Sequence, residues 1–218
     1  MRDTYRDRYF APGYQPIVGR VVAPSGWYGI GVDIGINNDF TVIAAIDRNT
    51  RKQVFYWRFC PGSSKNWHKN YDAMEWTFRY FRTNLRVDCG GSGASIPSEM
   101  PRRGVGLDPW GAGEDEMKLN EYNKPIIMDN LASLIGGKHI ELFDLAEIKD
   151  ELRKVQRRAK ASGRGFDIAA PKGKNEHDDI AIALGLACIG VQPRLVNTST
   201  DTTPISVGVP SFWSEIEW

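Results

Sequence analysis

The chain has 218 residues, 41% hydrophobic and 25% charged, enough for one domain with a sizeable core and no need of a disulfide or metal to fold. Its net charge of +1 excludes a chain-wide polyelectrolyte, so any surface for an anionic polymer must be a local patch. Cys60, Cys89 and Cys188 form neither a CxxC pair nor a disulfide framework, and the charged, aromatic N-terminus lacks a signal-peptide core, so a reducing cytosolic setting without membrane insertion is expected.

Residues 1–26 are polar, with Pro12, Pro16 and Pro24, and read as an extension or linker remnant. Residues 27–34, 40–47 and 53–59 read as strands, and their short connections predict antiparallel neighbours. Trp67, Tyr71, Met74, Phe78, Phe81 and Leu85 recur at alternating steps of four and three, which predicts one helix over 66–85 with a single apolar stripe. Residues 89–104 hold Gly90, Gly91, Gly93, Pro97 and Pro101 and read as a flexible loop. A short strand over 105–108 ends in a carboxylate. Pro125 opens a helix reaching Leu134, closed by Gly136 and Gly137. A strand over 140–143, a charged helix over 145–158 and a hairpin tip at 162–165 follow. A final apolar helix begins near Asp178, before a polar tail over 191–218. Strands, a helix, another strand and further helices predict an α/β domain with a mixed β-sheet flanked by helices.

Three acidic sites stand at the ends of these elements. Asp33 closes the first strand, Asp108 closes the later one, and Asp178 and Asp179 open the last helix. Each has a plain alternative. Asp33 before Gly35 and Asp108 before Pro109 fit turns, and an acidic pair suits a helix N-terminus. If the strands of Asp33 and Asp108 are parallel neighbours, the two carboxylates lie roughly 5 Å apart. Such a cluster repels itself unless a divalent cation joins it, and oxygen ligands favour Mg²⁺ or Mn²⁺. Two ions about 4 Å apart suit hydrolysis of a phosphodiester. His177 reads either as a metal ligand or as a polar residue beside a helix cap. Asp39 reads as an accessory acidic group or a loop residue.

These segments resemble a known family. Gly31-Val32-Asp33-Ile34-Gly35 running to Asp39-Phe40-Thr41 is similar to the first nuclease motif of phage terminase large subunits. Leu107-Asp108-Pro109-Trp110-Gly111 is similar to the second. Asn130-Leu131-Ala132, Glu147-Ile148-Lys149 and His177-Asp178-Asp179-Ile180 match the remainder in order. The resemblance covers residues 27–190. It implies an RNase H-like nuclease domain there, and two-metal cleavage of double-stranded DNA during genome packaging in the cytoplasm of the infected bacterial host. The portal and small terminase subunit are its implied partners. Carried over, Asp33 bridges the metals, Asp108 and Asp179 are ligands, Asp178 and His177 contribute, and Asp39 is accessory. The chain departs from the family in three ways. It has no GxxxxGK[ST] segment, so no ATP site is expected in it and it reads as an excised or separately encoded nuclease. A Gly/Pro-rich insertion precedes Asp108. The stretch from Asp108 to Asn130 is short for the family.

Between residues 149 and 174 nine basic residues face only Asp150, Glu151 and Asp167. Lys149, Arg153, Lys154, Arg157, Arg158, Lys160, Arg164, Lys172 and Lys174 form a candidate DNA-binding run, or else a solvated face. No base-reading motif accompanies it, so little sequence specificity is expected. The competing readings are another RNase H-like enzyme such as a Holliday-junction resolvase, an actin-like nucleotide-binding domain, and a non-catalytic DNA clamp. The second lacks a further phosphate-binding Gly loop, and the third would avoid carboxylates beside phosphate.

Overall fold

The structure is a computed structural model that describes residues 16–19, 27–35, 40–60, 67–110, 117–120, 122–159, 166–170 and 177–192. Strands β2 (Tyr28–Asp33), β3 (Thr41–Asp47) and β4 (Lys52–Phe59) form the expected antiparallel meander. β1 (Ile17–Val18) pairs antiparallel with β4, and β5 (Arg86–Val87) lies parallel to β2. The sheet order is therefore β1-β4-β3-β2-β5. Part of the expected N-terminal extension thus belongs to the sheet. Residues 1–15 and 20–26, and the expected tail from 193 onward, lie outside the described residues.

Alternate residues of the central strands feed two cores, because successive side chains point to opposite faces. Val42, Ala44 and Ile46 pack with residues of α3 (Asn123–Gly136), α4 (Ala146–Lys154) and α5 (Asp179–Ala187). Ile43 and Ala45 pack on the other side with residues of α1 (His68–Phe81) and α2 (Ile96–Arg102). The result is a mixed sheet between two helical layers. α5 is apolar almost throughout and every residue in it is buried, as a helix wrapped by core must be. No helix among the described residues is long and apolar enough to cross a membrane.

Several sequence expectations are corrected. The first helix stops at Phe81, because Arg82 takes the left-handed conformation (φ 52°) and ends it. Leu85 is buried, but from the segment leading into β5 rather than from the helix. The supposed loop over 89–104 contains α2, where Pro97 sits in the first turn and costs no hydrogen bond. Ile96 and Met100, one turn apart, are fully buried and anchor it. The strands expected at 105–108 and 140–143 are single bridges, Leu85 with Leu107 and Lys52 with Glu141. The charged helix ends at Lys154, and β6 (Gln156–Ala159) pairs with β7 (Phe166–Ala169) as a separate hairpin. Its tip, 160–165, lies outside the described residues.

Candidate metal centre

Gly29, Gly31 and Asp33 share one face of β2, since side chains alternate along a strand. A Cβ on Gly29 would stand 1.9 Å from the carbonyl oxygen of Ala187, and one on Gly31 would stand 2.0 Å from that of Ala183. Only hydrogen fits at either position, so α5 lies directly on the strand. Four helical residues rise about 6 Å, and two strand residues rise about 6.7 Å. The antiparallel match of Ala187 to Gly29 and Ala183 to Gly31 therefore continues as Asp179 to Asp33. The glycines are the reason a strand-end and a helix-start carboxylate meet.

Asp33 is half-buried at the sheet's end, and its Oδ1 accepts from the Ile34 N–H at 3.0 Å. Burial pushes its carboxyl well above the ordinary aspartate range, and the negative charges of Asp179, Asp88 and Asp178 push it further. Beyond it, the chain is pinned by Asn70, whose amide donates to the Gly35 carbonyl at 3.1 Å, and by Thr41, whose hydroxyl accepts from the Gly35 N–H at 3.1 Å. Thr41 donates in turn to Asn70 Oδ1 at 2.8 Å.

Asp88 was not among the residues expected here. The parallel register sets Val32 beside Val87, and the Asp88 N–H donates to the Val32 carbonyl at 3.1 Å. Asp88 is thus the carboxylate that follows the strand next to β2. Its Oδ1 accepts from Gly90 N–H at 2.9 Å and Leu119 N–H at 3.0 Å. The indole of Trp110 donates to the Val87 carbonyl at 2.9 Å and ties down the same edge.

Asp108 takes a different place. Its N–H bonds the Leu85 carbonyl, one strand further out and nearer the start of β5. Its carboxylate meets Arg86 at 3.5 Å and accepts from Asn84 at 3.1 Å. Arg86 in turn donates to the Ile189 carbonyl at 3.0 Å, just past the end of α5 opposite Asp33. The structure therefore brings together Asp33, Asp178 and Asp179 with Asp88, and holds Asp108 at the far end of the helix.

At the start of α5, the Lys124 ammonium sits 2.7 Å from Asp178 Oδ2. Asp179 is buried, and His177 Nδ1 lies 3.6 Å from its Oδ2 while the imidazole packs edge-on against Phe40. Glu151 on α4, also buried, accepts from the N–H groups of Ile180 (2.6 Å) and Ala181 (3.2 Å). Burial raises its carboxyl to about 7, against the opposing pull of those two hydrogen bonds. Arg153 and Lys154 are exposed on α4, and Arg157 and Arg158 belong to β6. Asp39, Lys160, Arg164, Lys172 and Lys174 lie outside the described residues.

Among the described residues, no three of these groups already surround a common point as metal ligands do. The donors named above hold them instead: Lys124 for Asp178, and backbone N–H groups for Asp33 and Asp88. The donor chemistry nevertheless fits a hard divalent cation. It consists of carboxylate oxygens; burial and then the neighbouring carboxylates raise Asp33, and a cation would relieve the repulsion among them.

No protein-family model matches the chain. In sequence it is 27% identical over 164 residues to the terminase large subunit of Thermus virus P23-45, an alignment covering 75% of this chain and 32% of that protein. The chain thus spans about a third of that relative's length. In fold it is similar to the large terminase nuclease of thermophilic phage G20c with bound magnesium (TM-score 0.69, 24% identity, 87% of this chain and 96% of that one). The Thermus phage P74-26 large terminase nuclease domain is also similar (TM-score 0.59, 25% identity, 74% and 77%). In sequence the chain is therefore similar to a phage terminase large subunit, and in architecture, a mixed sheet flanked by helices, to the nuclease domains of such subunits.

Proposed function

We propose that the chain is a metal-dependent endonuclease that cleaves double-stranded DNA with little sequence specificity. One observation carries this reading: β2 and β5 end side by side in Asp33 and Asp88, and the glycine-dictated contact of α5 with β2 brings Asp178 and Asp179 to the same end of the sheet. Asp88 replaces Asp108 in the ligand set, because Asp88 follows the strand beside Asp33 and Asp108 is engaged by Arg86. Asp33, Asp88 and Asp179 would hold Mg²⁺ or Mn²⁺, with Asp178 beside them. Two such ions, if bound there, would supply Lewis-acid polarisation of the phosphodiester and a water of lowered pKa.

The chain's own groups do the rest. Asp33 and Asp88 stand on hydrogen-bonded strand ends, so their oxygens are placed before substrate arrives. Lys124 offsets part of the acidic charge through its ion pair with Asp178. The basic run from Lys149 through the β6–β7 hairpin supports phosphate contact without base reading. Genome packaging alongside a portal and a small subunit is the setting that similarity to terminase large subunits supports.

The test is conversion of supercoiled plasmid with Mn²⁺, Mg²⁺ or EDTA, comparing the unmodified chain with Asp33→Asn. Nicking and linearisation that need the metal and vanish in the variant are expected. Equal cleavage by both proteins would refute the assignment.

A further inference from the structure

We propose that Glu151 is a positioning residue: it holds the first turn of α5, and with it Asp178 and Asp179, in place against Asp33 and Asp88. This rests on the metal-centre reading above and concerns a residue outside the ligand set.

A helix start leaves N–H groups without intrahelical partners, and the ordinary remedy is a cap from the residue at the boundary itself. Asp178 occupies that boundary but makes no capping hydrogen bond. Its carboxylate turns to Lys124 instead, at 2.7 Å. The capping passes to Glu151, whose Oε1 accepts from both Ile180 and Ala181. A local cap would have consumed the Asp178 carboxylate and turned it away from the site. A remote cap leaves it facing Lys124 rather than the helix backbone.

Glu151 is itself held. The Arg58 guanidinium approaches its Oε2 at 3.9 Å and Glu147 at 3.4 Å. Arg58 also lies over the Phe40 ring, 3.9 Å from its centroid, and Phe40 packs edge-on to His177. The chain of contacts from β4 through Arg58 and Glu151 to α5, and through Phe40 to His177, brackets the helix start from two sides. A cavity of about 140 Å³ lined by Arg58, Glu147, Asp150, Glu151, Lys154 and His177 opens beside it. Apolar packing fixes where α5 lies on the sheet. Glu151 fixes its first turn, where that packing gives way to carboxylates.

The test is calorimetric titration of the full chain with Mn²⁺ alone, together with amide exchange at Ile180 and Ala181 and circular dichroism. Glu151→Ala is expected to remain folded, exchange faster at both amides and bind Mn²⁺ about tenfold more weakly, as loss of a ligand-orienting partner does. Glu151→Gln keeps an acceptor oxygen and is expected to restore both readouts. Should the alanine variant fail to fold, Glu151→Asp, which retracts the carboxylate by one methylene, carries the same expected loss. Faster exchange with unchanged Mn²⁺ affinity would overturn the proposal and leave Glu151 as a cap of purely structural effect. An unmodified chain that binds no Mn²⁺ would instead overturn the metal centre itself, and this inference with it.

Discussion

Gly31→Ala adds one methyl group where the sheet and α5 are closest. The new Cβ would stand 2.0 Å from the Ala183 carbonyl oxygen, 2.6 Å from the Ala187 nitrogen and 2.8 Å from Leu186 Cβ. Ordinary contact begins near 3.4 Å, so the first of these is 1.4 Å too short, and two of the three obstacles are helix backbone that cannot rotate aside. α5 must lift from β2. Overpacking of this kind costs about 1–3 kcal/mol. For a domain of this size, that is a fall in Tm of roughly 2–12 °C. The lift also widens the gap between Asp33 and Asp179, so Mn²⁺-dependent stabilisation should shrink beyond what the lower Tm explains. Gly136→Ala is the control: it sits at the exposed end of α3 with nothing within 4 Å of its Cβ. There the substitution should be neutral or stabilising by about 0.4–1 kcal/mol. Thermal unfolding with EDTA and with excess Mn²⁺ measures both effects. Gly31→Ala with the Tm and Mn²⁺ response of the unmodified chain would refute the close-approach argument.

Asp33 binds its proton more tightly in the folded chain than in the unfolded one, so its contribution to stability is full below the unfolded aspartate range and is lost as pH rises through its raised folded value. Metal-free Asp33→Asn should therefore unfold at a higher temperature than the unmodified chain at neutral pH, converge with it in acid, and fall behind once Mn²⁺ stabilises only the unmodified protein. A less stable Asp33→Asn at neutral pH in EDTA would contradict this. Lys124→Met removes the ammonium beside Asp178. It should lower Tm in EDTA and enlarge the Tm rise on adding Mn²⁺, and an unchanged rise would exclude an electrostatic role for Lys124 at the site. Arg157→Ala with Arg158→Ala should weaken DNA binding and reduce the salt slope of log K by about 2, read by fluorescence anisotropy over a salt series. The same slope in both proteins would remove these arginines from the DNA surface.

The meander was legible because its strands are long, β-branched and separated by short turns. α5 was legible because an acidic pair stands before an unbroken apolar run. Asp33 was legible because it closes the first of these strands. Asp88 was hidden for a physical reason. β5 is only two residues long, and one of them is Arg86, so no alternation is visible. Leu85 also falls in phase with the α1 stripe, which carried the expected helix right up to the start of the strand. The missed signal was local: Val87 and then Asp88-Cys89-Gly90-Gly91, an apolar residue and a carboxylate running into a glycine turn. Asp108 drew attention through the same kind of pattern, but its segment makes a single bridge and its carboxylate is engaged by Arg86 and Asn84. Glu151 carried no sequence signal, because its partners lie 29 and 30 residues away on another helix.

The most direct test of the central claim is metal-dependent plasmid cleavage by Asp88→Asn and Asp108→Asn side by side, with Mn²⁺ affinity measured for each. The account predicts that Asp88→Asn loses cleavage and most of its Mn²⁺ affinity, while Asp108→Asn keeps both. Cleavage that survives in Asp88→Asn and disappears in Asp108→Asn would contradict it.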